Sequence, residues 1–239
     1  MNSPVETAES VDTSITEALA MMFLELFVPR GTYDTEELQR FAEKLTLKQL
    51  LTHAAAISDV VTVHEAARAN PGVMDFLDSI NHVVVHEISA WVVGGRLLDR
   101  TAPPRFIARA YVPGPWRKAM SPFLIASITR ALAQADADPD RFHHEPQVEV
   151  HVVGVPEGGY GLFGRVAGES SLLEMISQAK TDTGRPNNPD ALVDPVCGMA
   201  SADMVATLEH EGTVYGFCST GCRRHFADKL AKESSREEP

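Results

Sequence analysis

The run Phe23-Leu24-Glu25-Leu26-Phe27-Val28-Pro29 returns in kind as Phe106-Ile107-Ala108-Arg109-Ala110-Tyr111-Val112-Pro113, and this internal repeat limits the fold more than any other feature. Both runs are strand-like, both close in Val-Pro, and a glycine follows each (Gly31, Gly114). After the first run, Asp34 or Thr35 is placed to cap a helix with Glu36 and Glu37 in its first turn. Leu38, Phe41, Leu45 and Leu47 then recur at near-helical spacing. After the second, Ser121-Pro122 opens a helix with proline in its first turn. Leu124, Ile125, Ile128 and Leu132 form its apolar stripe. Each copy ends in a further strand, Val83 to Val93 closed by Gly94-Gly95, and Gln147 to Val153 closed by Gly154. The pattern is β-α-β twice, with an added helix expected between Ile57 and Ser79. Two such units with right-handed crossovers lie side by side in one sheet, helices covering one face, so the expected class is α+β.

The rest of the chain divides by composition. Residues 1–13 are polar and read as a flexible tail, and residues 14–180 as the α/β domain, with repeats over about 20–95 and 104–168. Residues 181–191 are rich in turn formers and read as a linker. A cysteine module over 192–232 and a charged tail over 233–239 complete the chain. A net charge of -12 weighs against nucleic acid as a partner, because phosphate contacts need Lys and Arg. No apolar run reaches the roughly 18 residues of a membrane span. The first residues lack the basic start and apolar stretch of a secretory signal, so a cytoplasmic location is expected.

The second repeat resembles the tautomerase superfamily, which includes 4-oxalocrotonate tautomerase and macrophage migration inhibitory factor. The resemblance lies in the strand ending Tyr111-Val112-Pro113-Gly114, the helix from Ile125 to Ala135, the Ala137-Asp138-Pro139-Asp140 turn, the strand Val148-Glu149-Val150 and the loop Pro156 to Gly161. It implies a doubled form of that fold and a homo-oligomer, with a trimer favoured. Enzymes of the superfamily use an amino-terminal proline as general base. Here Met21-Met22 stand at that place, and Pro103-Pro104, ahead of the second strand, are internal. Their nitrogens are amides and take up no proton. Pro4 is neither first nor next to a strand. No catalytic residue is therefore assigned, and the reading leans away from an enzyme. Arg109, Arg117 and Pro104 remain as candidates for binding a small carboxylate, since arginine pairs with such groups bidentately.

All three cysteines fall in the C-terminal part as Cys197-x20-Cys218-x3-Cys222. Thiolates cluster where they share a soft metal ion or a redox task. Four residues apart at a helix start, Cys218 and Cys222 present their sulfurs on one face, and a helix start lowers a thiol pKa. Cys197 sits in a Pro/Gly turn able to fold back onto them. Three thiolates suit Cu(I) in trigonal geometry, or Zn(II) with a fourth ligand. For that fourth position His225 is the first candidate, ahead of His210 and Met199. A module of about 40 residues usually needs such a staple. His82, His86, His143, His144, Glu145 and His151 read instead as solvated strand and turn positions.

Residues 192–230 resemble the YHS domain, a small metal-associated module related to TRASH-type modules. Asp194-Pro195-Val196-Cys197-Gly198-Met199 corresponds to its opening motif, Glu211 to Cys218 to its hairpin, and Gly221-Cys222-Arg223-Arg224-His225-Phe226 to its helix start. The resemblance implies copper or zinc handling, for delivery, sensing or storage, with a protein partner for metal transfer. Three alternatives stay open at this point. One is an enzyme of the tautomerase superfamily or an accessory of an oxidoreductase or monooxygenase system. The second is an adaptor whose zinc is structural. The third is a redox pair of Cys218 and Cys222.

Overall fold

In a computed structural model, residues 23–54, 70–99, 101–136, 138–184, 186 and 188–237 are described. The expected tail over 1–13, Met21-Met22, Ala137 and the first part of the insert helix lie outside the described residues.

Strand β1, Phe23–Pro29, alternates as the period of two demands: Leu24, Leu26 and Val28 are buried, and the residues between them are half-buried. Strand β5, Phe106–Pro113, buries Phe106, Ala108, Ala110 and Val112 in the same way. With β2 (His82–Ile88) and β6 (Val148–Val155) they form one sheet in the order β2-β1-β5-β6. β1 and β2 are parallel, as are β5 and β6. The two parallel pairs meet at an antiparallel seam in which Leu24 faces Ala110 and Leu26 faces Ala108. The protein is thus α+β, with two β-α-β units in one sheet.

The helices lie on the buried sheet face. Helix α1, Thr35–Lys44, opens with Asp34 and Glu37 in a reciprocal capping box. Helix α2 spans Leu47–Ala54, and helix α3, Pro71–Ile80, is capped by Asn70 with proline in its first turn. α3 is the part of the expected insert helix that is described. Helix α4, Arg117–Ala133, starts earlier than Ser121-Pro122, because the 3-10 turn Gly114–Trp116 runs straight into it. Pro122 is therefore interior and withholds the N–H that the Lys118 carbonyl would receive. Leu124, Ile128 and Leu132 are buried, whereas Ile125, expected in the same stripe, is 44% exposed. It sits about 100° round the helix from Leu124. A four-residue helix, α5 (Arg141–His144), leads to β6.

The strand expected over Val83 to Val93 breaks into β2 and a hairpin, whereas the one expected over Gln147 to Val153 is unbroken and runs through Gly154 to Val155, with its hairpin further on. β3 (Val92–Val93) and β4 (Arg96–Leu97) turn at Gly94-Gly95, which hold φ of 59° and 79°. β7 (Gly161–Leu162) and β8 (Arg165–Val166) turn at Phe163-Gly164 with φ of 52° and 72°. Two consecutive positive-φ residues make a tight hairpin turn, and glycine takes them at least cost.

Helix α6, Glu169–Ala179, closes the α/β part. Beyond it come the short pair β9 (Leu192–Val193) and β10 (Ala200–Ser201), the hairpin β11 (Ala206–His210) and β12 (Thr213–Phe217), and helix α7 (Thr220–Glu237). Residues 233–237, read as tail, continue α7. The segment after α6 is tied down where it begins. Thr181 donates from its N–H and hydroxyl to Asn70 Oδ1 (3.0 and 3.2 Å), and Asn70 Nδ2 donates back to the Thr181 carbonyl (2.8 Å). Lys180 Nζ reaches the Pro195 carbonyl. Arg224 pairs with Glu169 at 3.0 Å, and the module's buried residues join the same apolar core as the sheet. Among the described residues no helix is long and apolar enough to cross a membrane.

Candidate metal centre

The Asp194–Met199 turn is knotted by its own backbone. The Asp194 N–H donates to the Met199 carbonyl and the Gly198 N–H to the Asp194 carbonyl, both at 2.8 Å. Asp194 Oδ1 accepts from the N–H groups of Val196 (2.7 Å) and Cys197 (3.3 Å). Gly198 has φ of 72°, and a Cβ there would lie 2.9 Å from Asn70 Nδ2, so both conformation and space require glycine. The β11–β12 hairpin, turned at Glu211-Gly212, delivers Cys218 to the same point, where its N–H donates to Asp194 Oδ2 at 2.8 Å. Ser219 caps α7 by accepting the Cys222 N–H at 2.9 Å, which fixes Cys222 in the first turn.

The three sulfurs converge. Cys197 Sγ lies 3.3 Å from Cys218 Sγ, and Cys218 Sγ 3.7 Å from Cys222 Sγ. These sulfurs and an Asp194 carboxylate oxygen all lie within 4.8 Å of one another, and all four residues are buried. Phe226 of α7 packs on Tyr215 and Phe217 of the hairpin, ring centroids 4.9 and 5.5 Å apart, and closes one side. No disulfide joins any of the three cysteines.

Burial sets the protonation. The Cys218 thiol is pushed well up by desolvation and then by its bond to Cys197, and the Cys222 thiol chiefly by its bond to Cys197. The lowering expected from the helix start is therefore outweighed, by burial at Cys218 and by the contact with Cys197 at Cys222. Asp194 is raised from 3.8 to about 6, first by burial and then by the Cys197 charge. An ion entering this site displaces thiol protons as it binds.

His225, the expected fourth ligand, is not in the cluster: its Nε2 lies 3.3 Å from Glu174 Oε2 on α6. The face of α7 that carries Cys222 and Phe226 packs on the hairpin, while Arg224 and His225 meet α6. His210 ends β11 opposite Thr213 and is also outside the cluster. Met199 is buried within the same turn. Asp194, read only as part of a motif, is the residue that sequence reasoning missed. Its signal is a lone acid after Ala191-Leu192-Val193 and directly ahead of Pro-x-Cys.

The candidates for small-molecule binding do not share a pocket. Pro104 lines a cavity of about 760 Å³ together with Tyr33, Arg40, Phe41, Lys44 and Arg141. Its carbonyl accepts from Arg141 Nη1 at 2.9 Å, and Arg141 forms a buried pair with Asp136. Arg109 instead lies on the sheet face away from the helices, stacked 4.9 Å over Phe27. Arg117 opens α4 beside Gly154. Of the strand histidines, His86 bonds Glu25 at 3.1 Å and His151 sits 3.5 Å from Glu149. Among the described residues they join no metal-ligating group.

No protein-family model matches the chain, and no curated protein is similar to it. Solved structures are similar to about three-fifths of the chain. A native fused 4-OT is 20% identical over 61% of this chain and 95% of its own, with a TM-score of 0.42. A fused 4-OT described as a wild-type symmetric trimer is 13% identical over 61% of this chain and 97% of its own, at 0.39. Macrophage migration inhibitory factor of Toxoplasma gondii is 12% identical over 61% of this chain and 99% of its own, at 0.37.

Proposed function

We propose that this protein binds a soft or borderline metal ion, Cu(I) or Zn(II), through Cys197, Cys218 and Cys222, for delivery, sensing or storage. The observation that carries this is the convergence of three thiols from a turn, a hairpin and a helix start into one buried point. Thiolate sets of this kind select copper(I) and zinc. The resemblance of residues 192–230 to the YHS domain supports the same reading. The ion stands here as cargo, and its transfer calls for a protein partner able to reach the edge of the module.

The α/β part serves as an oligomeric scaffold in this proposal. Both hairpins present large apolar side chains to solvent: Leu97 is 72% exposed on one, and Phe163 is 74% exposed on the other. Their repetition in the two β-α-β units suits an interface between copies of the chain. A trimer would bring three thiol sites together and raise their effective concentration. Pro104 keeps its nitrogen in an amide, so the proposal includes no proline-based catalysis.

The test is elemental analysis of anaerobically purified protein, with thiols counted before and after chelation. About one copper or zinc per chain, shielding all three thiols, is the expected result. Metal-free protein that takes up neither ion and has three reactive thiols would sink the proposal.

A further inference from the structure

We infer that Asp194 is a positioning residue and not a ligand, and that the centre is a three-coordinate, all-sulfur site built for Cu(I). This rests on the metal-binding reading above and narrows it to one ion.

The carboxylate is already engaged on both oxygens. Oδ1 receives the N–H groups of Val196 and Cys197, at 2.7 and 3.3 Å, and Oδ2 receives that of Cys218, at 2.8 Å. Two of those three donors are the backbones of sulfur-bearing residues, brought from opposite sides of the module. One buried side chain therefore fixes the distance between the turn that carries Cys197 and the hairpin that carries Cys218. Turning the carboxylate away from these donors to meet an ion would weaken its bonds to buried N–H groups, each of which costs about 1–3 kcal/mol if lost.

Among the described residues no histidine and no other carboxylate joins the cluster. His225 Nε2 is held by Glu174, and neither His225 nor His210 belongs to the cluster. Solvent is excluded as well: Cys197, Cys218 and Cys222 are 2%, 3% and 0% exposed. Structural Zn(II) sites are almost always four-coordinate and tetrahedral. A dry pocket with three sulfurs does not meet that demand. A soft monovalent ion accepts three thiolates in a plane. The Asp194 carboxylate then acts in the way outer-shell groups of metal sites do, by holding the ligands at the right separation.

The experiment uses the full chain, loaded anaerobically with one equivalent of Cu(I) or of Zn(II). X-ray absorption reads the coordination shell, and competition with a chromophoric Cu(I) or Zn(II) chelator reads affinity. The expected wild-type result is a Cu(I) shell of three sulfurs with no oxygen or nitrogen scatterer, and displacement of Zn(II) by one equivalent of Cu(I). Asp194→Asn is expected to keep the three-sulfur shell, with a wider spread of Cu–S distances and an affinity about 10–100-fold lower. His225→Gln is expected to change neither shell nor affinity. An oxygen or nitrogen scatterer that disappears in either variant overturns the inference. So does a four-sulfur shell with Met199 as the fourth donor, or Zn(II) that resists displacement. Should Asp194→Asn not fold, the wild-type shell decides alone. Wild-type protein that takes up neither ion brings down the metal-binding reading itself, an outcome distinct from a wrong shell.

Discussion

The two parts of this molecule bury different things. The sheet buries rows of side chains with no polar atoms: Leu24 and Leu26 face Ala110 and Ala108, Val28 and Val112 extend the same buried face, and α1 to α4 cover them. The module buries three thiols, a carboxylate and two serines beside a thin layer of aromatics. Apolar burial stabilises at roughly 25 cal/mol per Å² and needs no partner atom. A buried thiol cluster around a carboxylate gains little that way, and a bound ion would turn its sulfurs into a cross-link between turn, hairpin and helix. The scaffold is thus expected to stand on its own packing, and the module to depend on its cargo.

That contrast is broken most severely at the sulfurs. Cys218→Ser or Cys222→Ser is expected to take metal content from about one per chain to none, checked by elemental analysis, and to melt the module first. The energy at stake is large, since structural zinc contributes about 10–16 kcal/mol in comparable small modules. A variant that retains a full equivalent would contradict the assignment. Next comes a cut in the scaffold. Leu26→Ala, fully buried at the central seam, is expected to cost about 2–5 kcal/mol in denaturant unfolding while leaving metal stoichiometry unchanged. Loss of metal in that variant would show that the two parts do not differ as described.

A pH titration sharpens the comparison further. Asp194 is raised from 3.8 to about 6 in the folded protein, so the metal-free fold holds its proton more tightly than the unfolded chain does. Its contribution is full below the unfolded value and is lost as pH rises through about 6. Metal-free protein is expected to lose stability between pH 4 and 7 relative to Asp194→Asn, in which this dependence is absent. Parallel curves for the two proteins would remove Asp194 as the source. The smallest effect belongs to the contact between the parts. Arg224→Ala breaks an exposed pair with Glu169 and is expected to cost no more than about 1 kcal/mol. A larger loss, read by thermal unfolding, would mean that module and scaffold melt as one unit.

Much of this was legible because it is local. The alternation in Phe23–Pro29 and Phe106–Pro113 marks strands with one buried face, and the Val-Pro endings mark where they stop. The close spacing of Cys218 and Cys222 was enough to bring their sulfurs together, although Cys218 directly follows the hairpin, ahead of α7, and only Cys222 lies in its first turn. What depended on distant contacts was hidden. Asp194 draws its role from an N–H 24 residues away, and its burial follows from packing that no neighbouring residue announces. His225 has suitable spacing, but Glu174 on α6 holds it. The seating of the segment after α6 rests on Asn70, 111 residues from Thr181. The early start of α4 depends on a 3-10 turn at Gly114–Trp116, which overrides the start signal at Ser121-Pro122.

The most direct test is amide hydrogen exchange of the full chain, metal-loaded and then chelated. The account predicts strong protection of β1 and β5 in both states, and protection of β11, β12 and the first turn of α7 that collapses on chelation. Unchanged protection of the module after complete removal of metal would contradict it.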